Sequence, residues 1–327
     1  MKVLSLEEKT LIEKLFQSTQ SQLINLMGSV LKKYYGSNNV ILNKDYIIAT
    51  GDSPIALVSH LDTVFEKPPT NIFYDKEKNV MWSPEGLGAD DRAGLYAIIQ
   101  IIKSGLKPTI LLVTDEEKGC LGAGKMVTDF PQPVSEVKYI VELDRKGVND
   151  CVFYDCDNPN FNEYIQSFGF KLNYGSFSDI STICPAWGIA GVNLSIGYFN
   201  EHSFLEMLSL DVLFATVEKI KLMLADVNNA PYFYYIPKKK DNYSTFLNWN
   251  FDFLNDKKYS CMKCHEEDYE YNLFPVKNKN NKIVYLCVEC MSESPEIDWC
   301  PNCKNYFFNE NIEKDEVHLC QECRKGE

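Results

Sequence analysis

Two histidines and a set of carboxylates, spread between residues 60 and 202, hold the chemistry that this sequence offers. Ser59-His60-Leu61-Asp62-Thr63-Val64 follows an apolar, strand-like run, so His60 emerges at a strand's carboxyl edge with Asp62 able to lean back on it. A neutral imidazole gives one nitrogen to a metal ion, and a carboxylate on its other N–H fixes the tautomer and raises its basicity. Gly86-Leu87-Gly88-Ala89-Asp90-Asp91-Arg92-Ala93-Gly94 puts adjacent carboxylates at the opening of a helix, among small residues that permit close backbone approach. Thr114-Asp115-Glu116-Glu117-Lys118-Gly119 ends another strand with three successive carboxylates, which repel one another unless cations or protons intervene. Glu142-Leu143-Asp144 ends a third strand. Asn200-Glu201-His202-Ser203 comes later, and His202 is the only other histidine before residue 265.

Taken singly, each feature has an ordinary structural reading: a polar network, a helix N-cap or an acidic surface turn. The ordered set says more. His60, Asp90, Glu116 with Glu117, Asp144 and His202 supply two imidazoles and several carboxylates from successive strand ends, a donor set for two divalent ions.

A second constellation lies at the other end of the chain. Of twelve cysteines, four precede residue 240 and eight follow residue 260, as four Cys-x-x-Cys pairs. Cys261 and Cys264 face Cys287 and Cys290 across 22 residues, and Cys300 and Cys303 face Cys320 and Cys323 across 16. Thiolates from two such knuckles close a tetrahedral zinc site that stabilises folding and leaves no position for substrate. Adjacent pairing and a cross-braced arrangement use the same residues. Cys261-Met262-Lys263-Cys264-His265 also fits a haem-attachment pattern, but three further cysteine pairs supply better partners. Cys120, Cys151, Cys156 and Cys184 have no paired spacing and read as buried thiols.

The elements that must position the first set alternate. Strands are expected at Val40–Leu42, Tyr46–Thr50, Ala56–Ser59, Val80–Trp82, Thr109–Val113, Tyr139–Leu143, Val152–Tyr154 and Gly191–Ser195. Helices fit at Asp91–Lys103, Gly122–Asp129, Asn160–Phe168 and Ser209–Asp226. One N-terminal helix is expected, opened by the capping box Ser5 to Glu8 and burying Leu11, Leu15, Leu23, Met27 and Val30. The pattern predicts an α/β domain over residues 1–230, with a mostly parallel, mixed sheet flanked by helices. Open sheets of this kind place their sites at the carboxyl ends of strands. A linker at 231–258 and tandem zinc ribbons at 259–327 complete the expected organisation.

Composition narrows the function classes. The chain has 327 residues, 45% hydrophobic and 24% charged, and no apolar run approaches the roughly 20 residues of a membrane span. An acidic N-terminal segment interrupts the place of a secretory signal, so the expected location is the cytoplasm. A net charge of -13 opposes attraction to phosphate backbones and anionic lipid, and from residue 238 onward 17 acidic residues outnumber 13 basic ones. Nucleic acid and membrane are therefore not expected partners, and the ribbons are expected either to dock protein or to shield the catalytic mouth.

The order His-x-Asp, Gly-Ala-Asp-Asp-x-x-Gly, Asp-Glu-Glu-x-Gly, a strand-terminal Asp and a late His resembles the co-catalytic dinuclear zinc exopeptidases, which include bacterial zinc aminopeptidases and the tripeptidase peptidase T. It covers roughly residues 50 to 226. The resemblance implies that Asp90 bridges two zinc ions, that His60 and Asp144 complete one site, and that Glu117 and His202 complete the other. It further implies that Asp62 orients His60, that Glu116 is the general base, and that the Asp90–Asp91 peptide is cis. The implied reaction is hydrolysis of short peptides by activated water, with four zinc ions per chain: two catalytic and two structural. Many relatives carry an inserted lid domain, but the His60–Asp90 and Asp144–His202 intervals are too short for one. Some also lend a nonligand histidine to the oxyanion. None is available here before residue 265, and Tyr198 is a candidate substitute.

Aminopeptidase is the first expectation. An amidase or deacylase acting on N-acyl amino acids is the nearest alternative, with the carboxylate- or amine-recognising group unassigned among residues such as Arg92, Arg145 and Glu201. A zinc-ribbon adaptor with an inactive hydrolase domain is an alternative of a different class, and it predicts a damaged donor set.

Overall fold

The computed structural model describes residues 3–226, 231–235, 258–269, 273–278, 282–287, 290, 291, 294, 297–300 and 305–308. The chain divides into two units, Met1–Lys239 and Lys240–Glu327.

The first unit opens with α1 (Leu6–Phe16) and α2 (Gln20–Tyr35), where the sequence suggested one helix. The break has a local cause: Thr19 and Gln22 form a second capping box, matching that of Ser5 and Glu8. There follow β1 (Val40–Leu42), β2 (Tyr46–Ala49), β3 (Ser53–His60), β4 (Phe73–Asp75), β5 (Val80–Trp82), α3 (Ala89–Lys103), β6 (Pro108–Val113), α4 (Leu121–Asp129) and β7 (Tyr139–Arg145). The unit continues through β8 (Asp150–Val152), α5 (Pro159–Ser167), β9 (Lys171–Leu172), α6 (Ile180–Trp187), β10 (Gly191–Ser195), β11 (Tyr198–Phe199), β12 (Met207–Ser209) and α7 (Leu210–Asp226).

Eight strands form one mixed sheet in the order β1-β2-β6-β3-β7-β10-β8-β9. Its centre, β6-β3-β7-β10, is parallel, and antiparallel pairings flank it. Alternate residues of the central strands feed two apolar layers. Ile55, Leu57, Ile110, Leu112, Tyr139 and Val141 join one layer, with α1, α2, α3, α5 and α7. Ala56, Val58, Leu111, Val113 and Ile140 join the other, with α4 and α6. This period of two is what a sheet covered on both faces requires.

The intervals expected to lack an inserted domain do lack one. Between His60 and Asp90 the chain makes only the β4–β5 hairpin, which joins β11 and β12 in a small sheet ordered β11-β12-β5-β4. Residues 231–235 belong to the first unit, where Tyr234 bridges to Ile189. No helix among the described residues is long and apolar enough to cross a membrane.

In the second unit, β13 (Lys258–Ser260) pairs with β14 (Glu267–Tyr269), and β15 (Phe274–Lys277), β16 (Ile283–Leu286), β17 (Ile297–Cys300) and β18 (Asn305–Phe308) form a sheet ordered β16-β15-β18-β17. Its small apolar cluster is built on Cys261, Val276 and Leu286.

Candidate metal centre

Strand register brings the first two side chains together. Val58 of β3 lies opposite Glu142 of β7 in a parallel pairing, so the next residues on the same face are His60 and Asp144. Both sit at carboxyl ends, and His60 Nε2 is 3.4 Å from Asp144 Oδ1. His60 is buried, and its Nδ1 stands 3.2 Å from Asp62 Oδ1.

Asp90 enters from the start of α3. Gly88 adopts a left-handed φ of 68°, and neither Asp90 nor Asp91 has helical backbone angles, so the chain presents two carboxylates before the helix proper begins. The Asp90–Asp91 peptide is cis. The two carboxylates have different tasks. Asp91 Oδ1 accepts the Gly94 N–H at 2.9 Å and caps the helix, whereas Asp90 turns toward the histidines. A Cβ at Gly94 would lie 2.4 Å from Asp91 Oδ1 and 2.5 Å from the Leu143 carbonyl, so this motif glycine lets α3 close onto the end of β7.

The two oxygens of Asp90 face different imidazoles: Oδ1 is 3.0 Å from His60 Nε2, and Oδ2 is 3.3 Å from His202 Nε2. His202 Nε2 is also 3.0 Å from Glu117 Oε1. Potential ligand atoms of His60, Asp90 and Asp144 lie within 4.8 Å of one another, as do those of Asp90, Glu117 and His202, with Asp90 common to both groups. Asp62 links the parts, since its carboxylate accepts the backbone N–H of Glu116 at 3.0 Å and of Glu117 at 3.1 Å. The loop after β6 is thus fastened to the same side chain that holds His60.

The electrostatics favour cations. Asp90, Asp91, Glu116, Glu142, Asp179 and Glu206 are all buried in the first unit, and a buried carboxylate is costly without compensating positive charge. Burial, and the charges of Asp144, Asp179 and Glu117, push the Glu116 carboxyl up to about 11, against the pull of His60. Burial and the Asp90 charge push Asp144 up to about 8. Bonds to the Asp90 and Glu117 carboxylates raise His202 to about 10. Bound divalent ions reverse such shifts by supplying the missing charge, so the donor set fits bound metal.

Several contributors were not legible as motifs. Glu206 is buried and accepts the N–H groups of Gly88 at 2.5 Å and Asp90 at 3.1 Å. Glu142 accepts from the Ser178 hydroxyl and from the Asp179 N–H at 3.2 Å, tying α6 to the floor of the site. Asn193 takes the Asp144 N–H at 2.9 Å. The Tyr198 hydroxyl, a candidate for the oxyanion, donates to Asp144 Oδ1 at 3.0 Å and so supports a donor carboxylate. Arg92 is buried and donates to the Asp62 carbonyl at 2.5 Å, a structural task, and Arg145 donates to the Tyr174 carbonyl at 3.1 Å. Glu201 pairs with Lys146.

With this geometry in place, likeness to known proteins is informative. Residues 39–176 match the family model described as Peptidase family M28. The match lies wholly within the first unit. No curated protein matches the sequence. Among solved structures, a TET aminopeptidase from the marine sediment archaeon Thaumarchaeota archaeon SCGC AB-539-E09 aligns with a TM-score of 0.54 at 12% identity, over 68% of this chain and 99% of its own. A tripeptidase from Staphylococcus aureus subsp. aureus Mu50 aligns at 0.53 and 13% identity, over 70% of this chain and 100% of its own. An aminopeptidase from the archaeon Desulfurococcus kamchatkensis gives 0.53 and 13%, over 69% and 95%. At these identities the likeness is one of fold.

In the second unit, the Sγ atoms of Cys261, Cys264, Cys287 and Cys290 lie within 4.8 Å of one another, which groups the first two knuckles together. The Cys287 N–H points at Cys261 Sγ at 3.4 Å. Burial works against ionisation of Cys261, but N–H groups from Cys264, Cys287 and Lys263 bring its thiol down to about 6. Cys300 is buried at the end of β17, whereas Cys303, Cys320 and Cys323 lie outside the described residues.

Proposed function

We propose that the first unit is a dinuclear zinc aminopeptidase acting on short peptides, and that the second unit holds structural zinc. The observation that carries this reading is the position of Asp90, one oxygen toward His60 and the other toward His202. His60, Asp90 and Asp144 would hold one ion, and Asp90, Glu117 and His202 the other. Two divalent ions so placed supply Lewis acidity to a water molecule and to the scissile carbonyl.

The protein's own groups supply the rest. Glu116 is buried, its carboxylate lies within 4.8 Å of ligand atoms of His60 and Glu117, and it stands outside the two groups that share Asp90, so it would take a proton from the attacking water and deliver it to the leaving amine. The water oxygen bonds to the carbonyl carbon, the C–N bond breaks, and the amine leaves with the transferred proton. Asp62 keeps His60 in the tautomer with a proton on Nδ1, leaving Nε2 free to ligate, and holds the backbone of Glu116 and Glu117. Glu206 fixes the backbone that presents Asp90.

Cys261, Cys264, Cys287 and Cys290 would form one closed thiolate site, and Cys300, Cys303, Cys320 and Cys323 a second, giving about four zinc ions per chain. The ribbons are proposed to dock a protein partner, and the location to be the cytoplasm. The experiment combines metal analysis with a screen of aminoacyl, dipeptide and N-acyl amino acid substrates. Release of N-terminal residues supports the proposal; turnover confined to N-acyl amino acids makes the unit a deacylase; a fully zinc-loaded protein that hydrolyses none of these substrates makes it a binding module.

A further inference from the structure

The loop that carries His202 also carries exposed apolar side chains, and its geometry gives them a use. Its two ends are pinned at Asp90: His202 contacts the Asp90 carboxylate, and Glu206 accepts the Asp90 N–H. Between them, Phe204 is 67% exposed and Leu205 is 77% exposed. Two residues of chain span at most about 7 Å, so the backbone of Phe204 lies that close to the ligand His202. The loop is braced, not loose. The Ser203 hydroxyl donates to the Asn200 carbonyl at 2.7 Å and accepts the Leu205 N–H at 3.2 Å, and Asn200 donates to the Leu205 carbonyl at 3.3 Å.

A second segment meets it through an aromatic contact. Phe65 stands three residues after Asp62, its ring covers Gly86 so closely that a Cβ there would lie 2.3 Å away, and it packs against Phe204 with centroids 6.0 Å apart. Val64, beside it, is exposed. Gly86 opens the run to Asp90, so the aromatic pair stands over the stretch that delivers the shared carboxylate. Isolated exposed hydrophobes are ordinary, but several on two short segments that adjoin donor residues form an apolar patch beside that cluster.

We propose that Phe204 and Phe65 select the substrate: they receive the side chain of the N-terminal residue and favour peptides that begin with a large apolar or aromatic amino acid. This inference rests on the peptidase reading of the site. A charged side chain placed there would lose hydration against the rings without gaining a partner, whereas a Leu or Phe side chain would bury area on both.

The test uses the full-length zinc-loaded protein and the dipeptides Phe-Ala, Leu-Ala, Ala-Ala, Lys-Ala and Asp-Ala. Wild type is expected to favour Phe-Ala and Leu-Ala over Ala-Ala by about tenfold or more in kcat/KM, within the range that apolar pockets give. Phe204→Ser and Phe65→Ser are each expected to bring that ratio toward unity, chiefly through KM, with zinc content unchanged, and Phe204→Leu to retain most of it. Hydrolysis without an apolar preference, or a preference that survives both serine substitutions, would overturn the selective patch alone. Failure of the zinc-loaded wild type to cleave any dipeptide would remove the peptidase reading, and this inference with it.

Discussion

Glu206 accepts the backbone N–H of Asp90 at 3.1 Å, although 116 residues separate the two in sequence. Its other oxygen accepts the Gly88 N–H, so one buried carboxylate secures the turn from which the shared donor projects. Glu206→Ala leaves both N–H groups buried without a partner, at a cost of about 1–3 kcal/mol each. The expected result is a lower melting temperature together with weaker zinc binding, read by calorimetry and zinc titration; unchanged values for both would remove Glu206 from the account.

Glu116→Gln keeps the shape of the side chain and removes its ability to take a proton. Turnover should fall by about 10²–10⁴-fold, the usual range for a positioned general base. Zinc content measured by atomic absorption should stay at the wild-type value, because Glu116 belongs to neither of the two donor groups that share Asp90. Hydrolysis at the full rate would refute the assigned base.

Asp62 holds the ring of His60 and the backbone of Glu116 and Glu117. Asp62→Asn is expected to weaken zinc affinity about 10- to 100-fold, the effect typical of groups that orient a metal-binding histidine. Competition with a chelator of known affinity reads it out.

His202 links metal occupancy to pH. Without metal its pKa is raised to about 10 by the Asp90 and Glu117 carboxylates. A raised histidine stabilises the fold fully below its unfolded pKa of about 6.5, and that contribution disappears as pH climbs through the folded value. Chelator-treated wild type should therefore lose stability between about pH 6.5 and 10, and His202→Gln should lose less across the same window. Denaturant titrations at the two ends of the window measure the difference.

Cys264→Ser breaks the group formed by Cys261, Cys264, Cys287 and Cys290. One zinc ion per chain should be lost, and the second unit should become sensitive to proteolysis, because a structural zinc site supplies folding free energy directly. Loss of two or more ions would favour shared or cross-braced metal binding.

Much of this site was legible in the sequence for specific reasons. Period-two burial on β3 and β7 places His60 and Asp144 on one face of neighbouring strands, and the carboxyl-end rule for open sheets gathers Glu116, Glu117 and Asp90 beside them. Asp91, by contrast, keeps the plain capping role that a carboxylate at a helix start suggests. Glu206 was hidden because its partners are backbone N–H groups, which carry no side-chain signature and are distant in sequence. The division of α1 from α2 was readable in principle, since Thr19 and Gln22 have capping-box spacing, but the apolar stripe running through both helices obscured it. Helix α6 was missed because Pro185 lies inside it and interrupts the helical pattern, while Ser178 and Asp179 before it bond to Glu142.

Asp90 is proposed to be shared by two ions in the first unit. Anomalous diffraction at the zinc absorption edge, from crystals of the full-length protein, tests it most directly. Two peaks about 3.5–4 Å apart are expected, one beside His60 and Asp144, the other beside Glu117 and His202, with an Asp90 oxygen on each. A single peak, or zinc confined to the cysteine-rich unit, would contradict it.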